Sequence, residues 1–261
     1  MNRTALITGA SSGLGKEFAK IHASKGDNLV LVARSKDKLE SLKFDLEKQF
    51  GISVYVIVKD LSDQYAPKAV YEQLKIQKIK VDYLINNAGF GDFGLFAETN
   101  WEKQLEMINV NVTCLTYLTR LFLPDMILNK FGRILNVAST AAFQPGPMMA
   151  IYYASKAYVL SFSEALSEEL QGTGVSVTAL CPGPTATDFG RRAGFANEKI
   201  FGDILSMDSH SVALDGYKGL MNRKPLVVSG WKNWIGTNLV RFLPRPLPAR
   251  LIKKVQQKRG S

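Results

Sequence analysis

Cysteine and histidine are scarce in this chain of 261 residues, which holds two of each. Cys114 and Cys181 stand far apart in apolar surroundings, so they predict no disulfide framework and favour a reducing compartment, the cytoplasm. His22 and His210 are equally scattered, and no spacing typical of metal ligands joins them to the cysteines. The sequence therefore predicts neither a disulfide-stapled secreted protein nor a metal centre.

Long hydrophobic runs are missing as well. No run reaches the roughly 18 apolar residues that a membrane-spanning helix needs, and the first residues enter a strand pattern without the apolar core of a secretory signal. Hydrophobic residues make up 46% of the chain and charged residues 21%, which excludes disorder as the default interpretation. The net charge of +10 favours a phosphate-rich ligand, and since no nucleic-acid motif accompanies it, we expect no nucleic-acid partner.

Short apolar runs alternate with amphipathic segments along most of the chain. The short runs predict strands at residues 3–8, 28–33, 53–58, 82–86, 133–138, 175–180 and 225–229. The amphipathic segments predict helices at about residues 13–25, 35–49, 66–78, 99–129 and 150–172. Continuous Val, Ile and Leu runs are typical of strands buried on both faces. The alternation predicts one α/β domain over residues 1–261, a doubly wound parallel seven-stranded sheet of the Rossmann type with helices on both faces.

A glycine-rich loop, T-G-A-S-S-G-L-G at 8–15, joins the first predicted strand to the first predicted helix. Gly9 allows a tight turn, while Gly13 and Gly15 let the backbone approach a pyrophosphate and let the helix pack on the strand. The helix N-terminus adds free N–H groups and a positive dipole end. The loop therefore predicts a dinucleotide site whose contacts include Gly9, Ser11, Ser12, Gly13, Leu14 and Gly15.

Residues at the ends of the next three strands face the same predicted crevice. The second strand ends in Ala33 and Arg34 with no acidic residue, and the planar fork of Arg34 suits a 2′-phosphate, so NADP(H) is favoured over NAD(H). A solvated surface arginine is the alternative. Asp60 and Leu61 end the third strand, although Asp60 could instead cap the next helix. The fourth strand runs into Asn87, Ala88 and Gly89.

A tyrosine followed four residues later by a lysine occurs three times. The pairs are Tyr55 and Lys59, Tyr71 and Lys75, and Tyr152 and Lys156. Spacing alone proves nothing, but only the third pair has a serine, Ser139, upstream at the end of a predicted strand and lies opposite the glycine loop. Tyr153, three residues before Lys156, is the competing tyrosine.

The chemistry of carbonyl reduction accounts for these residue types. Tyr152 can donate a proton, but a phenol pKa near 10 is too high without a neighbouring cation, which Lys156 can supply while it also binds ribose hydroxyls. Ser139 can hydrogen-bond the substrate oxygen. Asn111 can hold a water that links Lys156 to solvent; a helix-kinking core amide is the alternative, and Asn109 is the competing residue.

These motifs, in this order, resemble those of the single-domain short-chain dehydrogenase/reductases. The resemblance covers residues 3–230 and rests on the glycine loop, N-N-A-G, Asn111, Ser139, the Tyr152–Lys156 pair and P-G-P-T-A-T at 182–187. It implies an enzyme that transfers a hydride with Tyr152 as acid and base, assembles as a homodimer or homotetramer, and places Pro182, Gly183, Thr185 and Thr187 around the nicotinamide. The local sequences G-F-G-D-F-G at 89–94 and Y-Y-A-S-K-A-Y at 152–158 are similar to those of bacterial members related to hydroxysteroid and 3-oxoacyl reductases. Ser12 departs from the many NADP-using members that carry Arg or Lys there.

The resulting hypothesis is an NADP(H)-dependent reductase of a lipophilic ketone or oxoacyl compound. The alternative is an NADP(H)-binding regulator without turnover, while an extended-type epimerase would need a substrate domain that is absent here. An irregular stretch, residues 184–215, is the predicted substrate loop. The apolar lining expected for the pocket, which could equally be core or oligomer interface, is Phe90, Phe93, Phe143, Met148, Met149, Phe189 and Phe195.

The C-terminal tail, residues 231–261, is basic and contains Trp231, Trp234 and several aliphatic residues. Such a composition predicts weak peripheral contact with anionic membranes. The alternative is that the apolar residues close the substrate pocket or pack on a partner subunit, with the charges solvated.

Overall fold

Seven parallel strands form the centre of the molecule in this computed structural model, which describes residues 2–186, 189–194 and 207–260. The strands are β1 (Thr4–Thr8), β2 (Asn28–Ala33), β3 (Val54–Val58), β4 (Tyr83–Asn86), β5 (Gly132–Val137), β6 (Val175–Cys181) and β7 (Leu226–Val228). They lie in one sheet in the order β3-β2-β1-β4-β5-β6-β7, and every pairing is parallel. The predicted doubly wound sheet is confirmed.

Helices cover both faces of this sheet. They are α1 (Gly13–Ser24), α2 (Lys36–Phe50), α3 (Ala66–Ile76), α4 (Trp101–Ile108), α5 (Leu115–Leu128), α6 (Ala150–Glu169), α7 (Phe189–Ala193), α8 (Ser209–Met221), α9 (Trp231–Val240) and α10 (Pro246–Gly260). A short 3₁₀ helix, Thr140–Phe143, follows β5. None of the described helices is both long and apolar enough to cross a membrane.

The helix expected over residues 99–129 is not continuous. It begins at Trp101, because the Asn100 side chain accepts a 2.8 Å hydrogen bond from the Lys103 N–H and caps the first turn. A π-helical segment, Asn109–Cys114, then separates α4 from α5. Such widened turns are frequent at functional sites, and this one carries Asn111 into the protein interior, where it is buried.

Alternate residues of the strands enter two separate cores. In β1, Ile7 packs with Phe18 of α1 and Val212 of α8, whereas Leu6 packs on the other face with Leu118 of α5 and Val70 of α3. This two-residue alternation with burial on both faces explains why the strands appear as unbroken apolar runs.

The order of the strands also places the site. The chain leaves β1 towards β2 on one side and returns to β4 on the other, so the loops after β1 and β4 diverge from the middle of the sheet. A crevice opens outside the carboxyl ends of the strands at such a switch point.

Candidate active site

A cavity of about 900 Å³ lies along this edge of the sheet, within the usual range for small-molecule sites. The predicted site residues that line it are Gly9, Ser11, Ser12, Gly13, Leu14, Arg34, Asp60, Leu61, Asn87, Ala88, Gly89, Ser139, Tyr152, Lys156, Pro182, Gly183 and Thr185. Gly15 and Asn111 are not part of the lining. Thr187 lies outside the described residues. The structure thus gathers residues from seven separate loops and elements at one cleft.

The glycine loop has the backbone conformation that its sequence predicts. Gly9 and Gly13 have φ values of +66° and +53°, in the left-handed region that favours glycine. A Cβ on Gly15 would lie 2.3 Å from the carbonyl oxygen of Gly9, so Gly15 acts through close packing of the loop on α1 and makes no contact with the cleft. Gly15 therefore lies behind the loop and supports its packing, and its contact with a cofactor stays a prediction.

Thr8, which the sequence analysis did not single out, joins the two loops at the switch point. Its hydroxyl accepts hydrogen bonds from the N–H groups of Asn87 at 3.0 Å and Ala88 at 2.9 Å, and donates to the carbonyl of Ile85 at 3.3 Å. The Asn87 amide returns a 2.8 Å hydrogen bond to the Thr8 carbonyl. A hydroxyl residue directly before Gly9 was the available signal for this role.

Arg34 and Asp60 meet at one wall of the cleft. The Arg34 Nη1 atom lies 3.6 Å from Asp60 Oδ2, and both side chains are largely exposed. Asp60 also accepts hydrogen bonds from the Ser62 N–H at 3.0 Å and hydroxyl at 2.8 Å, a local turn of the capping type. Partial burial acts to raise the pKa of Asp60, but the bonds from Ser62 and the charge of Arg34 hold it below its usual value. Asp60 therefore lies at the crevice, whereas the N-cap position of the next helix, α3, is Tyr65, so the alternative that Asp60 caps this helix is wrong.

Lys59 is a second cation that the sequence analysis missed. It lines the cleft, and its backbone N–H donates a 3.0 Å hydrogen bond to the carbonyl of Ala33, next to Arg34. Its position directly before Asp60 at the end of β3 was the available signal.

Lys156 is buried on the inner side of α6. Its Nζ donates a 2.8 Å hydrogen bond to the carbonyl of Val137 and lies 5.9 Å from the centre of the Tyr152 ring. Burial lowers the pKa of Lys156 from 10.5 to about 8, while the nearby Cys181 has a smaller opposite effect. Among the described residues, the Val137 carbonyl accepts one hydrogen bond from this ammonium group, which has three donors. The remaining donors suit hydroxyl groups of a ligand in the cleft.

The neighbouring tyrosines of α6 have different surroundings. The Tyr152 ring packs on Phe189, with 5.2 Å between ring centres, and borders the cleft. Tyr153 also reaches the cleft wall, but its hydroxyl accepts a 3.2 Å hydrogen bond from Gln256 of α10. A Cβ on Gly146 would lie only 2.2 Å from the Tyr153 ring, so the loop holds this ring closely.

Asn111 joins the π-helical segment to the surroundings of the cleft. Its amide donates to the Phe90 carbonyl at 3.0 Å and accepts from the Phe90 N–H at 3.1 Å. It also donates to Ser155 at 3.1 Å, whose hydroxyl donates to the Tyr152 carbonyl at 2.7 Å. A Cβ on Gly89 would lie 3.1 Å from Asn111 Oδ1 and 3.3 Å from Lys156 Nζ, so the two polar groups approach the same point.

Ser139 lies where β5 ends, as the N-cap of the 3₁₀ helix. Its hydroxyl oxygen accepts a 3.1 Å hydrogen bond from the Ala141 N–H and is 3.5 Å from the Pro182 carbonyl, at the limit of a hydrogen bond. The Thr140 N–H donates to the same Pro182 carbonyl at 2.9 Å, which fastens the loops after β5 and β6 together.

The apolar lining agrees only in part with the expected set. Phe90, Met149 and Phe189 line the cleft, whereas Phe93, Phe143 and Met148 do not. Phe93 packs behind the cleft against the cluster around Met149, and Phe143 packs in a separate core cluster, so tertiary packing takes both rings away from the lining. Phe195 lies outside the described residues. Trp231 and Trp234 of the tail do not line the cleft, whereas Ile252 of α10 packs behind its wall on the cluster of Met149 and Tyr153.

Comparison with known families gives a match to the short chain dehydrogenase model over residues 3–197. Among curated proteins, the chain is 32% identical over 249 residues to "Hydroxysteroid dehydrogenase-like protein 1" of Gallus gallus, covering 93% of this chain and 72% of the relative. It is 31% identical over 266 residues to the very-long-chain 3-oxoacyl-CoA reductase of Homo sapiens, covering 97% and 83%. It spans only 60% of the Anas platyrhynchos enzyme of that name and 52% of the Phaeosphaeria nodorum one.

Solved structures show the same relationship. The chain is 32% identical to a short-chain dehydrogenase from Sphingobium yanoikuyae in complex with NADPH, with a TM-score of 0.83 and coverage of 92% of this chain and 93% of that one. It is 30% identical to the bulky-bulky ketone specific alcohol dehydrogenase from Comamonas testosteroni, with a TM-score of 0.77 and 92% of each chain covered. The hydroxysteroid and 3-oxoacyl relatives expected from the sequence are thus found, and the chain belongs to the short-chain dehydrogenase/reductase family.

Proposed function

We propose that this chain is an NADP(H)-dependent oxidoreductase that interconverts a carbonyl and an alcohol, working mainly as a reductase. The observation that carries the proposal is the buried ammonium group of Lys156 beside the Tyr152 ring, in a cleft that starts at the glycine loop. A cation so placed favours the ionised form of a phenol and makes it a usable acid and base near neutral pH.

The donors of the cleft fit a dinucleotide phosphate. The N-terminus of α1 and the loop from Gly9 to Leu14 suit the pyrophosphate. Arg34 and Lys59 suit a 2′-phosphate, although Asp60 offsets part of their charge. The Lys156 donors other than the one bonded to Val137 suit ribose hydroxyls, and Pro182, Gly183, Thr185 and, by its sequence position, Thr187 would surround the nicotinamide. When bound, NADPH supplies the hydride that reduces the carbonyl carbon.

The protein's own groups manage the proton and the developing charge. Tyr152 donates its hydroxyl proton to the substrate oxygen as that oxygen gains negative charge, and Ser139 donates a hydrogen bond to the same atom. Lys156 stabilises the phenolate that remains. In the direction of alcohol oxidation the same phenolate accepts the hydroxyl proton.

Asn111 is proposed to act on Lys156. Its three hydrogen bonds hold Phe90 and Ser155, and its Oδ1 approaches Lys156 near Gly89. A water held there would restore the proton of the Tyr152–Lys156 pair from solvent. The contacts also support the alternative interpretation of a core amide that stabilises the widened turn, and both effects place Asn111 behind the reacting atoms.

The substrate class that best fits the cleft is a lipophilic ketone or oxoacyl compound. Phe90, Met149 and Phe189 form apolar wall beside Tyr152, and the names of the Comamonas and 3-oxoacyl-CoA relatives refer to bulky ketones and acyl chains. The described parts of residues 184–215 continue this wall at Pro184, Ala186 and Gly190, which supports the predicted substrate loop.

A substrate screen tests the proposal. NADPH oxidation is followed with bulky ketones, 3-oxoacyl thioesters and small polar sugars as separate sets. We expect turnover with the lipophilic sets. Tight NADPH binding without turnover of any set would instead support a regulator, and turnover of the sugars alone would contradict the substrate class.

We also propose a homodimer or homotetramer that forms through α5 and α6. Leu128 and Tyr158 are exposed on these helices, and the Tyr158 hydroxyl is 3.0 Å from that of Thr116, so the two helices present a joint surface. The two cysteines are buried and free, which supports a location in the reducing cytoplasm. Light scattering tests the assembly, and a monomer at all concentrations would contradict it.

A further inference from the structure

Helix α9 carries its apolar side chains on the face that points away from the protein. Trp231, Trp234, Ile235 and Leu239 recur three or four residues apart, and all are exposed, Trp231 by 70% and Leu239 by 58%. Phe242, two residues beyond the helix, is 84% exposed. A surface helix of a globular protein normally shows the reverse pattern, so packing within this fold does not account for these residues.

The opposite face of α9 is polar and is fastened to the fold. Asn233 donates a 2.7 Å hydrogen bond to the Ser229 carbonyl, and its side chain fills the space beside Gly183, where a Cβ would lie 2.3 Å from it. Thr237 is buried and donates to the Trp234 carbonyl at 3.0 Å. Both hydrogen bonds are local to α9, and it is the packing of Asn233 beside Gly183 and the burial of Thr237 that identify the side of α9 facing the fold, so the apolar residues face outward.

Helix α10 is anchored in the same way. Gln256 is buried and donates to Tyr153, and Ile252 packs against the cluster around Met149. The outward side of α10 exposes Leu247 and Leu251. The tail is therefore part of the folded protein, with an inner side against the active-site wall and an outer side in solvent.

The outer side has charge of one sign. Residues 231–261 contain eight basic side chains and no aspartate or glutamate: Lys232, Arg241, Arg245, Arg250, Lys253, Lys254, Lys258 and Arg259. The first six of these are exposed. Exposed tryptophan and leucine beside basic residues is the composition of an interfacial helix. We propose that the exposed residues of α9, residues 241–245 and α10, here called the tail surface, dock onto an anionic lipid bilayer.

A second copy of the chain fits this surface less well. In a two-fold pair the same patch contacts itself, so the basic side chains of both copies would come together without acidic partners within the tail. An anionic bilayer provides both requirements at once, negative headgroups for the charges and acyl chains for the apolar residues. The proposal goes beyond the enzymatic function and is tested without measuring turnover.

The test is co-sedimentation of the full-length protein with vesicles of phosphatidylcholine alone and of phosphatidylcholine mixed with phosphatidylserine. We expect binding to the mixed vesicles at low ionic strength, loss at high ionic strength, and little binding to the neutral vesicles. The substitutions Arg241→Glu and Arg245→Glu together should lower the partition coefficient by at least about tenfold. Phe242→Ser should lower it by about tenfold through lost insertion of the ring.

Matched variants separate this surface from general effects of charge and hydrophobicity. Lys25→Glu with Lys48→Glu changes the net charge equally but far along the chain from the tail surface, and Ile76→Ser removes a side chain that is 77% exposed at the end of α3. Both controls should bind vesicles like the wild type, and NADPH binding should be unchanged in every variant. The proposal is overturned if the wild type fails to sediment with the mixed vesicles at low salt, or if the controls lose as much binding as the tail variants. Self-association that Phe242→Ser abolishes, without lipid binding, would assign the surface to a second copy instead.

Discussion

Gln256, near the C-terminus, donates a 3.2 Å hydrogen bond to the hydroxyl of Tyr153 on α6. The same amide lies 3.4 Å from the sulfur of Met149. By their spacing to Lys156 alone, Tyr152 and Tyr153 are nearly equivalent candidates. The bond distinguishes them, because the Tyr153 hydroxyl takes part in the packing of α6 against α10. This difference supports the proposal that Tyr152 is the tyrosine that takes part in the chemistry.

Tyr153→Phe should therefore retain turnover and lose stability. The variant leaves the buried amide of Gln256 without this acceptor, which should cost about 1 kcal/mol of unfolding free energy. Urea unfolding and kcat on the same preparation check both parts. Tyr65→Phe, at a side chain that is 69% exposed, is the matched control and should change neither quantity. A loss of kcat by more than about tenfold in Tyr153→Phe would place Tyr153 in the reaction.

Arg34→Ala should weaken the preference for NADPH over NADH. Loss of a charge-assisted contact to the 2′-phosphate should lower kcat/KM for NADPH by about tenfold or more and leave the value for NADH nearly unchanged. Lys48→Ala on α2 is the control for a lost surface charge. Equal values of kcat/KM for the two cofactors in the wild type, or an unchanged ratio in Arg34→Ala, would contradict the assignment.

Gly15→Ala should weaken binding of NADPH without any direct contact. The added Cβ would lie 2.3 Å from the Gly9 carbonyl oxygen and 2.6 Å from Asn87 Nδ2, so the loop that holds the pyrophosphate must shift. We expect the Kd measured by fluorescence titration to rise by at least about tenfold. Gly236→Ala provides the comparison, since its Cβ would meet nothing within 4 Å; an equal Kd in the two variants would contradict the packing role.

The buried ammonium group of Lys156 should make stability depend on pH. Its pKa is about 8 in the folded protein and 10.5 ordinarily, so the unfolded chain binds more protons between these values and stability rises with pH across that window. At pH values below the pKa of Lys156 in the folded protein, this group is protonated in both states. The full free-energy cost of the buried charge then persists. The free energy of unfolding of the wild type minus that of Lys156→Met should thus increase by up to about 3 kcal/mol across the window. A constant difference would contradict the low pKa, and saturating NADPH should reduce the effect by supplying acceptors.

The strands could be predicted from the sequence because of the way a parallel sheet is buried. Strands such as β2 bury nearly every residue, so the apolar runs mark them directly, and observed bounds differ from the predicted ones by at most one residue. The π-helical segment around Asn111 could not be predicted. The Asn111 amide in this segment binds Phe90 and Ser155, which lie 21 and 44 residues away, so no local pattern marks it.

The sequence alone also does not predict which side of α9 faces solvent, or which residues hold the site residues in place. Both depend on tertiary contacts. The sequence of α9 contains both apolar and polar residues, and only the packing of Asn233 beside Gly183 and the burial of Thr237 show that the polar side faces inward. Gln256 gave no signal, since its partner Tyr153 is 103 residues away. Local patterns therefore identified the groups proposed for the chemistry, whereas the groups that hold them in place required the structure.

The most direct test of the account is single-turnover reduction of a bulky ketone by Tyr152→Phe, with NADPH binding measured on the same protein. We expect the rate to fall by about 10²–10⁴-fold, because the proton donor is lost. The Kd for NADPH should stay within about twofold of the wild-type value, because a phenol-to-phenyl change removes only one hydroxyl from the far end of the site. Tyr152→Phe that turns over at the wild-type rate while Tyr153→Phe is inactive would contradict the proposed active site.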